Sequence, residues 1–275
     1  MQLTRGRHAG VHSKASGAAA LLAAALCVPA WSDAVQPGAA LPALNSYAQP
    51  PFTVTGERTG GLAARFVAEL NEELAAVQLA FRLEAQPRRR MDISLGSPDF
   101  TGLAMFLAPE FLSEPAGRRG GWSVPVMVDE NLLVSIRPLS VPTLDALGGL
   151  RFGAITGHIY RMLGPLVEAG RIERADALDH VANLRKLCLD RVDFIVISRS
   201  ELAGSAPLAA CERPLHYVPF PQPQVIVRRM LVRMPDAPAT QAVLGAVARV
   251  ACGDRWRAAL AQYGLATAGC AHRGR

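Results

Sequence analysis

Apolar residues recur at three- and four-residue intervals over residues 62–77, where Leu62, Phe66, Leu70, Leu74 and Val77 fall on one face with Val67 beside them. That spacing predicts an amphipathic helix. Ahead of it, residues 46–62 have strand character interrupted by Pro50 and Pro51, then a turn at Gly60 and Gly61. Short apolar or alternating runs predict strands at 81–85, 102–107 and 131–137. A second unit starts at Pro142, where a strand over 151–155 passes through Thr156 and Gly157 into a helix reaching about residue 169. It continues with a helix over 175–189 and a buried strand over 191–198. A further strand covers 222–232, and two amphipathic helices, 240–252 and about 255–263, close the chain. Strands alternating with helices predict an α/β architecture assembled from βαβ units.

Composition narrows the class. Of 275 residues half are apolar and 19% charged, enough to bury a core and too apolar for a chain disordered as a whole. The length suits one large domain or two small ones. The formal charge of +6 is not spread evenly, because Arg5, Arg7 and Lys14 precede an apolar run over 17–30. A cationic start, an apolar centre and small residues at its end predict a secretory signal peptide over residues 1–34, cut after Ala30 or Ala34. The apolar run is shorter than a spanning helix, and Leu26 before Cys27 argues against lipidation. The mature chain is therefore predicted to be soluble in the periplasm or outside the cell. Export and the lack of interleaved aromatic and basic residues exclude nucleic acid as a partner.

Beyond Cys27 the cysteines form an even set, Cys188, Cys211, Cys252 and Cys270, as an oxidising compartment permits. Four cysteines allow three pairings, of which loop-closure economy favours Cys188 with Cys211 and Cys252 with Cys270; buried free thiols are the alternative. No Cys/His cluster has metal-ligand spacing, and neither a metal nor a cofactor is expected.

Four places resemble one family when taken in order. These are Pro50-Pro51-Phe52 with the Gly60-Gly61-Leu62 turn, Trp122-Ser123-Val124-Pro125, the stretch from Leu144 through Gly148 and Gly149 to Gly157, and Leu189-Asp190-Arg191-Val192-Asp193 with a terminal helix pair ending at Tyr263-Gly264. Together they resemble the bacterial extracellular solute-binding proteins of the polar-amino-acid ABC transporter type, as a divergent member. The resemblance implies a two-lobed α/β fold, each lobe a twisted sheet flanked by helices, with a ligand cleft between them and two hinge crossings. Lobe one would comprise 41–133 and the returning 223–275, and lobe two 134–222. The crossings would lie near 131–138 and 221–227.

Candidate ligand groups follow partly from the residues themselves. A strand handing over to a helix at Thr156, Gly157 and His158 would aim backbone N–H groups at an anion, or serve as a plain cap. Tyr160 would add a stacking face or belong to the core. Arg88, Arg89 and Arg90 form a dense basic cluster from which Arg88 or Arg90 could reach the cleft, if all three are not simply solvated. Tyr47, Phe52, Phe106 and Trp122 are the aromatic wall candidates, each with a core alternative. Two departures from the family stand out. Where relatives carry Thr-x-x-Arg for a ligand carboxylate, this chain reads Leu107-Ala108-Pro109-Glu110, and Ser198 stands where an acid would take the ligand's ammonium.

No nucleophile and base arrangement is evident, so no enzyme is expected. The resemblance implies capture of a small polar or anionic, amino-acid-like solute for the permease of an ABC transporter, by a monomer. The alternative is a periplasmic binding module that serves a receptor or enzyme system with a degenerate ligand site. A cleft filled by the protein's own side chains would favour that alternative.

Overall fold

The computed structural model describes residues 40–54, 60–112, 117 and 119–270; the signal peptide expected over 1–34 lies outside them. Nine strands make the described sheet: β1 (Leu41–Asn45), β2 (Phe81–Ala85), β3 (Gly102–Leu107), β4 (Gly121–Trp122), β5 (Met127–Ser135), β6 (Arg151–Ile155), β7 (Glu173–Ala177), β8 (Phe194–Ser198) and β9 (His216–Arg233). The helices are α1 (Gly61–Leu74), α2 (Arg88–Gly96), α3 (Gly164–Glu168), α4 (His180–Cys188), α5 (Arg199–Ala209), α6 (Ala237–Ala251) and α7 (Asp254–Ala261). Among the described residues no helix is long and apolar enough to cross a membrane.

Strand order is β2-β1-β3-β9-β5-β8-β6-β7, with β4 beside β9. In the first lobe β1 runs parallel to β2 and β3; in the second, β6 runs parallel to β7 and β8. Two antiparallel strands join them. The C-terminal part of β9 pairs with β3, Gly102 opposite Arg233, and the rest pairs with β5 from Met127 opposite Arg228 to Ser135 opposite His216. At 18 residues β9 belongs to both lobes.

The predicted apolar face of α1 buries Leu62, Phe66, Val67, Leu70 and Leu74 against Phe52, Phe106, Val247 and Trp256, but the α-helix ends at Leu74, and Val77, in the tighter turn that follows, is exposed. In the second lobe Phe152, Leu163 and Phe194 cover one face of the sheet, and Leu184, Leu187, Ile195 and Ile197 cover the other. Both sequential disulfides are formed, with Cα atoms 5.8 Å apart for Cys188–Cys211 and 5.5 Å for Cys252–Cys270. The first ties the end of α4 to the segment after α5, and the second ties residues beyond α7 back to the end of α6.

Four local expectations are corrected. The first strand is 41–45 rather than 46 onward, because Pro50 and Pro51 turn the chain and the preceding Leu41–Asn45 ladder is free to pair with Phe81–Ala85. The helix after β6 is not continuous to residue 169. The chain turns through Gly157 at φ 76°, and α3 begins only at Gly164, with Pro165 in its first turn where a missing N–H is harmless. Residues 175–177 are strand, since Asp179 caps α4 by accepting from Ala182 N and sets its start at His180. Finally, α5 follows β8 directly, a helix that the apolar periodicity did not reveal.

Candidate functional site

Parallel strands present their C-terminal ends along one edge, and that edge is where open α/β sheets place ligand groups. In the first lobe β1, β2 and β3 end at Asn45, Ala85 and Leu107, followed by Tyr47, Gln49, Gln86 and Arg88. In the second lobe β6, β7 and β8 end at Ile155, Ala177 and Ser198, followed by His158, His180 and Glu201. The two edges meet, as the backbone N–H of His180 donates to Gln49 Oε1 at 3.2 Å. Beside this bond Gly204 of α5 lies against the Pro50–Pro51 peptide, so that an added Cβ would stand 2.4 Å from the Pro50 carbonyl carbon.

The first-lobe side is braced by its own loop. Asn45 Nδ2 donates to Tyr47 O and Thr53 Oγ1, both at 3.0 Å, and the carbonyls of Pro51 and Phe52 accept from Leu62 N and Ala63 N. Gly61, at φ 90°, is required there, because a Cβ would stand 2.5 Å from Phe52 O.

At the centre lies a buried ion pair formed by the two connecting strands. Arg228 of β9 and Asp129 of β5 keep 2% and 0% of their side chains exposed. Arg228 Nε and Nη2 donate to Asp129 Oδ2 at 3.0 and 2.8 Å, while Nη1 reaches Tyr47 Oη at 2.5 Å and Phe106 O at 3.4 Å. The guanidinium sits 4.7 Å from the Tyr47 ring centroid and 5.1 Å from that of Phe52. Phe106 contributes its carbonyl from a left-handed backbone, φ 57°, at a register shift between β3 and β9. Asp129 in turn accepts from Ser200 N at 3.1 Å and Ser200 Oγ at 2.6 Å, at the start of α5. Desolvation works against the Arg228 charge, yet Tyr47, Asp129 and Glu201 hold its pKa above the ordinary arginine value. Burial pushes the Tyr47 phenol up, so it stays neutral and accepts from Arg228.

A second acid, Glu201, stands in the first turn of α5. Ser198 caps α5 by accepting from Glu201 N and donates to Glu201 Oε2 at 2.6 Å. His180 Nε2 lies 3.5 Å from Glu201 Oε1, with 12% and 18% of the two side chains exposed. Burial alone would raise the Glu201 pKa, but the His180 charge and hydrogen bond, Arg228 and Ser198 outweigh it and bring it to about 2. His158 at the rim, 4.5 Å from the Tyr160 ring, has its pKa lowered by desolvation and by His180, Arg174 and Arg88 against the pull of Glu201.

Both shifts make acid destabilising. A carboxylate with a depressed folded pKa contributes stability that is present above its unfolded value of 4.5 and lost as pH falls toward 2. A histidine depressed below 6.5 adds loss in the same direction, beginning as pH falls through that value. Urea midpoints measured from pH 7 to pH 2 should therefore fall, and Glu201→Gln should flatten the part below 4.5, a contribution on the order of 3 kcal/mol. An equally steep acid limb in that variant would show that Glu201 is not the group responsible.

Neither a family model nor a curated protein matches the chain. Solved structures do. An ancestral arginine-binding protein bound to arginine is 13% identical, spans 82% of this chain and 98% of its own, and has a TM-score of 0.60. A histidine kinase sensor domain with similarity to periplasmic binding proteins is 14% identical, with coverages of 84% and 99% and a TM-score of 0.61. A structure from glutathione import via GshT and the cystine ABC importer TcyBC of Streptococcus mutans is 10% identical, with coverages of 82% and 94% and a TM-score of 0.62. The chain has the periplasmic-binding-protein fold.

On this fold the predicted site residues separate. Tyr47 faces the interlobe centre, with Phe52 directly behind it at 4.5 Å between centroids. Phe52 and Phe106 are both fully buried: Phe52 walls Arg228 with its ring, whereas Phe106 reaches Arg228 only through its carbonyl and packs its ring on Phe52, Phe66 and Trp256, so neither is an open ligand surface. Trp122 does not line the cleft; it packs beside Leu44, Met91 and Leu231, its Nε1 donating to Gly117 O. Thr156 and His158 spend their backbone N–H groups on Ala177 O and Ile155 O, and no helix starts at Thr156, Gly157 or His158, so the helix-terminal anion site is not built there. Tyr160 accepts from Ile155 N at 3.0 Å and packs on Phe152, a place inside the lobe that raises its pKa to about 12 through burial. Arg88 pairs with Asp92 at 2.8 Å and with Phe111 O, close enough for its charge to reach Tyr47 and His158, whereas Arg90 is exposed. Ser198 is the cap that holds Glu201.

Five central residues were not among the candidates: Gln49, Asp129, His180, Arg228 and Glu201. Two charges inside the apolar run from Val225 to Val232 mark Arg228 together with Arg229, and the Ser198-x-x-Glu201 spacing of a capping box marks Glu201. The 430 Å3 groove lined by Pro142, Thr143, Leu144, Met162, Pro221 and Gln222 includes none of the candidate residues.

Proposed function

We propose that this protein is an exported solute-binding module that captures a small polar, amino-acid-like solute between its lobes and presents it to a membrane partner, the permease of an ABC transporter. One observation carries the reading. Of the four buried side-chain polar atoms without a hydrogen-bond partner among the described residues, Gln86 Nε2 and His180 Nδ1 stand just past the ends of β2 and β7, and the others, Asn183 Oδ1 and Ser205 Oγ, lie in α4 and α5. Each such atom costs about 1–3 kcal/mol unless something satisfies it, and a solute between the strand ends would do so for the first two. Both disulfides suit the periplasm. The guanidiniums nearest the centre are committed to Asp129 and Asp92, which supports a polar solute over one held by a carboxylate–arginine clamp.

The chemistry supports binding rather than catalysis. Ser198 Oγ donates to the Glu201 carboxylate, which a pKa of about 2 makes a poor base, and His180 turns its Nε2 to that carboxylate rather than to the hydroxyl. A second reading, a sensor or accessory module for a receptor, is favoured by the filling of the centre with Arg228 and Asp129. The likeness to a sensor domain as well as to transport-related proteins is compatible with either.

The test is thermal unfolding of the purified protein with amino acids, organic acids, amines and small peptides. Solute at about 100 times its dissociation constant adds roughly 2.7 kcal/mol, a rise of roughly 5–10 °C for a chain of this size. A flat response across the panel would discard solute capture and leave the sensor or accessory reading.

A further inference from the structure

We propose that Arg228 is a tethered internal ligand: its guanidinium fills an aromatic cage between the lobes, so that the cleft contains a guanidinium site occupied by the protein itself. This rests on the reading that the space between the lobes is the binding cleft. The cage has each element that a planar cation needs. Tyr47 and Phe52 offer ring faces at 4.7 and 5.1 Å, Asp129 supplies the counter-charge, and Tyr47 Oη and Phe106 O accept from the remaining edge. These acceptors come from β1's following loop, β3 and β5, while the cation comes from β9, so the site is assembled from four separate segments.

The contacts also span the lobes. Tyr47 and Phe106 belong to the first lobe, and Asp129 passes the connection to Ser200 N and Oγ in the second. A buried ion pair gives no stability that apolar residues of similar volume would not give, so its worth here is positional. Arg228 sets which way the lobes meet, and it is the residue that denies the cage to free guanidines and amines.

Arg228→Gly removes the side chain beyond Cα, and n-propylguanidinium replaces the missing atoms. The variant should melt below the parent and recover saturably with n-propylguanidinium, at least about tenfold more tightly than with n-propylurea or n-propylammonium. The parent protein should not respond. A folded variant that ignores the probe, or a parent that responds equally, would overturn the proposal. If the glycine variant fails to fold without the probe, refolding in n-propylguanidinium but not in n-propylurea supports it. If it folds in neither, Arg228→Met combined with Asp129→Leu decides. That protein has no latch and should show a larger radius of gyration in small-angle scattering, and an unchanged radius overturns the proposal. None of these readings requires a natural solute, so a parent that binds nothing in the panel above would fail the proposed function and leave this inference standing.

Discussion

Asp129→Ala should be the most damaging single substitution at the centre of the protein, with a loss of about 3–5 kcal/mol. The cause is what it leaves behind. Arg228, 2% exposed, would keep its charge with no carboxylate bonded to it, because Tyr47 Oη and Phe106 O are neutral acceptors and Glu201 acts on it only through its field. Ser200 N and Oγ would lose their acceptor in the same step. For a chain of this length such a loss lowers the melting midpoint by roughly 10 °C. Replacing both partners, Asp129→Leu with Arg228→Met, should regain most of it, since a buried ion pair exchanged for apolar volume is close to neutral. A double variant as unstable as Asp129→Ala would mean that the loss arises from the altered strands, not from the stranded charge.

Gly204→Ala should come next. In an exposed helix this exchange stabilises by about 1 kcal/mol. Here the new Cβ would meet Pro50 C at 2.4 Å and Pro51 N at 2.5 Å. Those atoms cannot retreat, because Pro51 O and Phe52 O are engaged by the first turn of α1. The strain would instead push α5 and the second lobe away, stretching the Gln49–His180 bond and giving a net loss of about 2 kcal/mol. Melting and small-angle scattering would report a lower midpoint with a larger radius. An alanine variant as stable and compact as the parent would show that the two lobes do not depend on this contact.

The lobes were legible in the chain because periodicity and order report which faces are buried. The α1 stripe from Leu62 to Leu74, the strands at 81–85, 102–107 and 151–155, and both disulfides lie where spacing and loop economy put them. The turn after β6 misled because Thr156 and Gly157 suit a helix cap as well as a turn, and only Pro165 reveals where α3 can start. The centre of the cleft was harder to see. Its residues are separated by up to 181 positions, as Tyr47 and Arg228 are, and no local pattern pairs them. No arginine stands at 107–110, and the guanidinium at the centre arrives instead on the returning strand, where it is committed to Asp129, while Ser198 holds the carboxylate of Glu201 one turn on.

The sharing of β9 between the lobes also sets an order of assembly. A chain delivered from its N-terminus has β1, β2 and β3 in hand early, but the strand that lies between β3 and β5 comes only with residues 216–233. Until then β3 has a raw edge, and the helices α6 and α7 that cover α1 have not arrived. The second lobe brings its own three parallel strands together sooner, over 151–198. The first lobe is thus begun first and completed last, and its sheet waits for the last quarter of the chain while the parallel strands of the second lobe are already in hand.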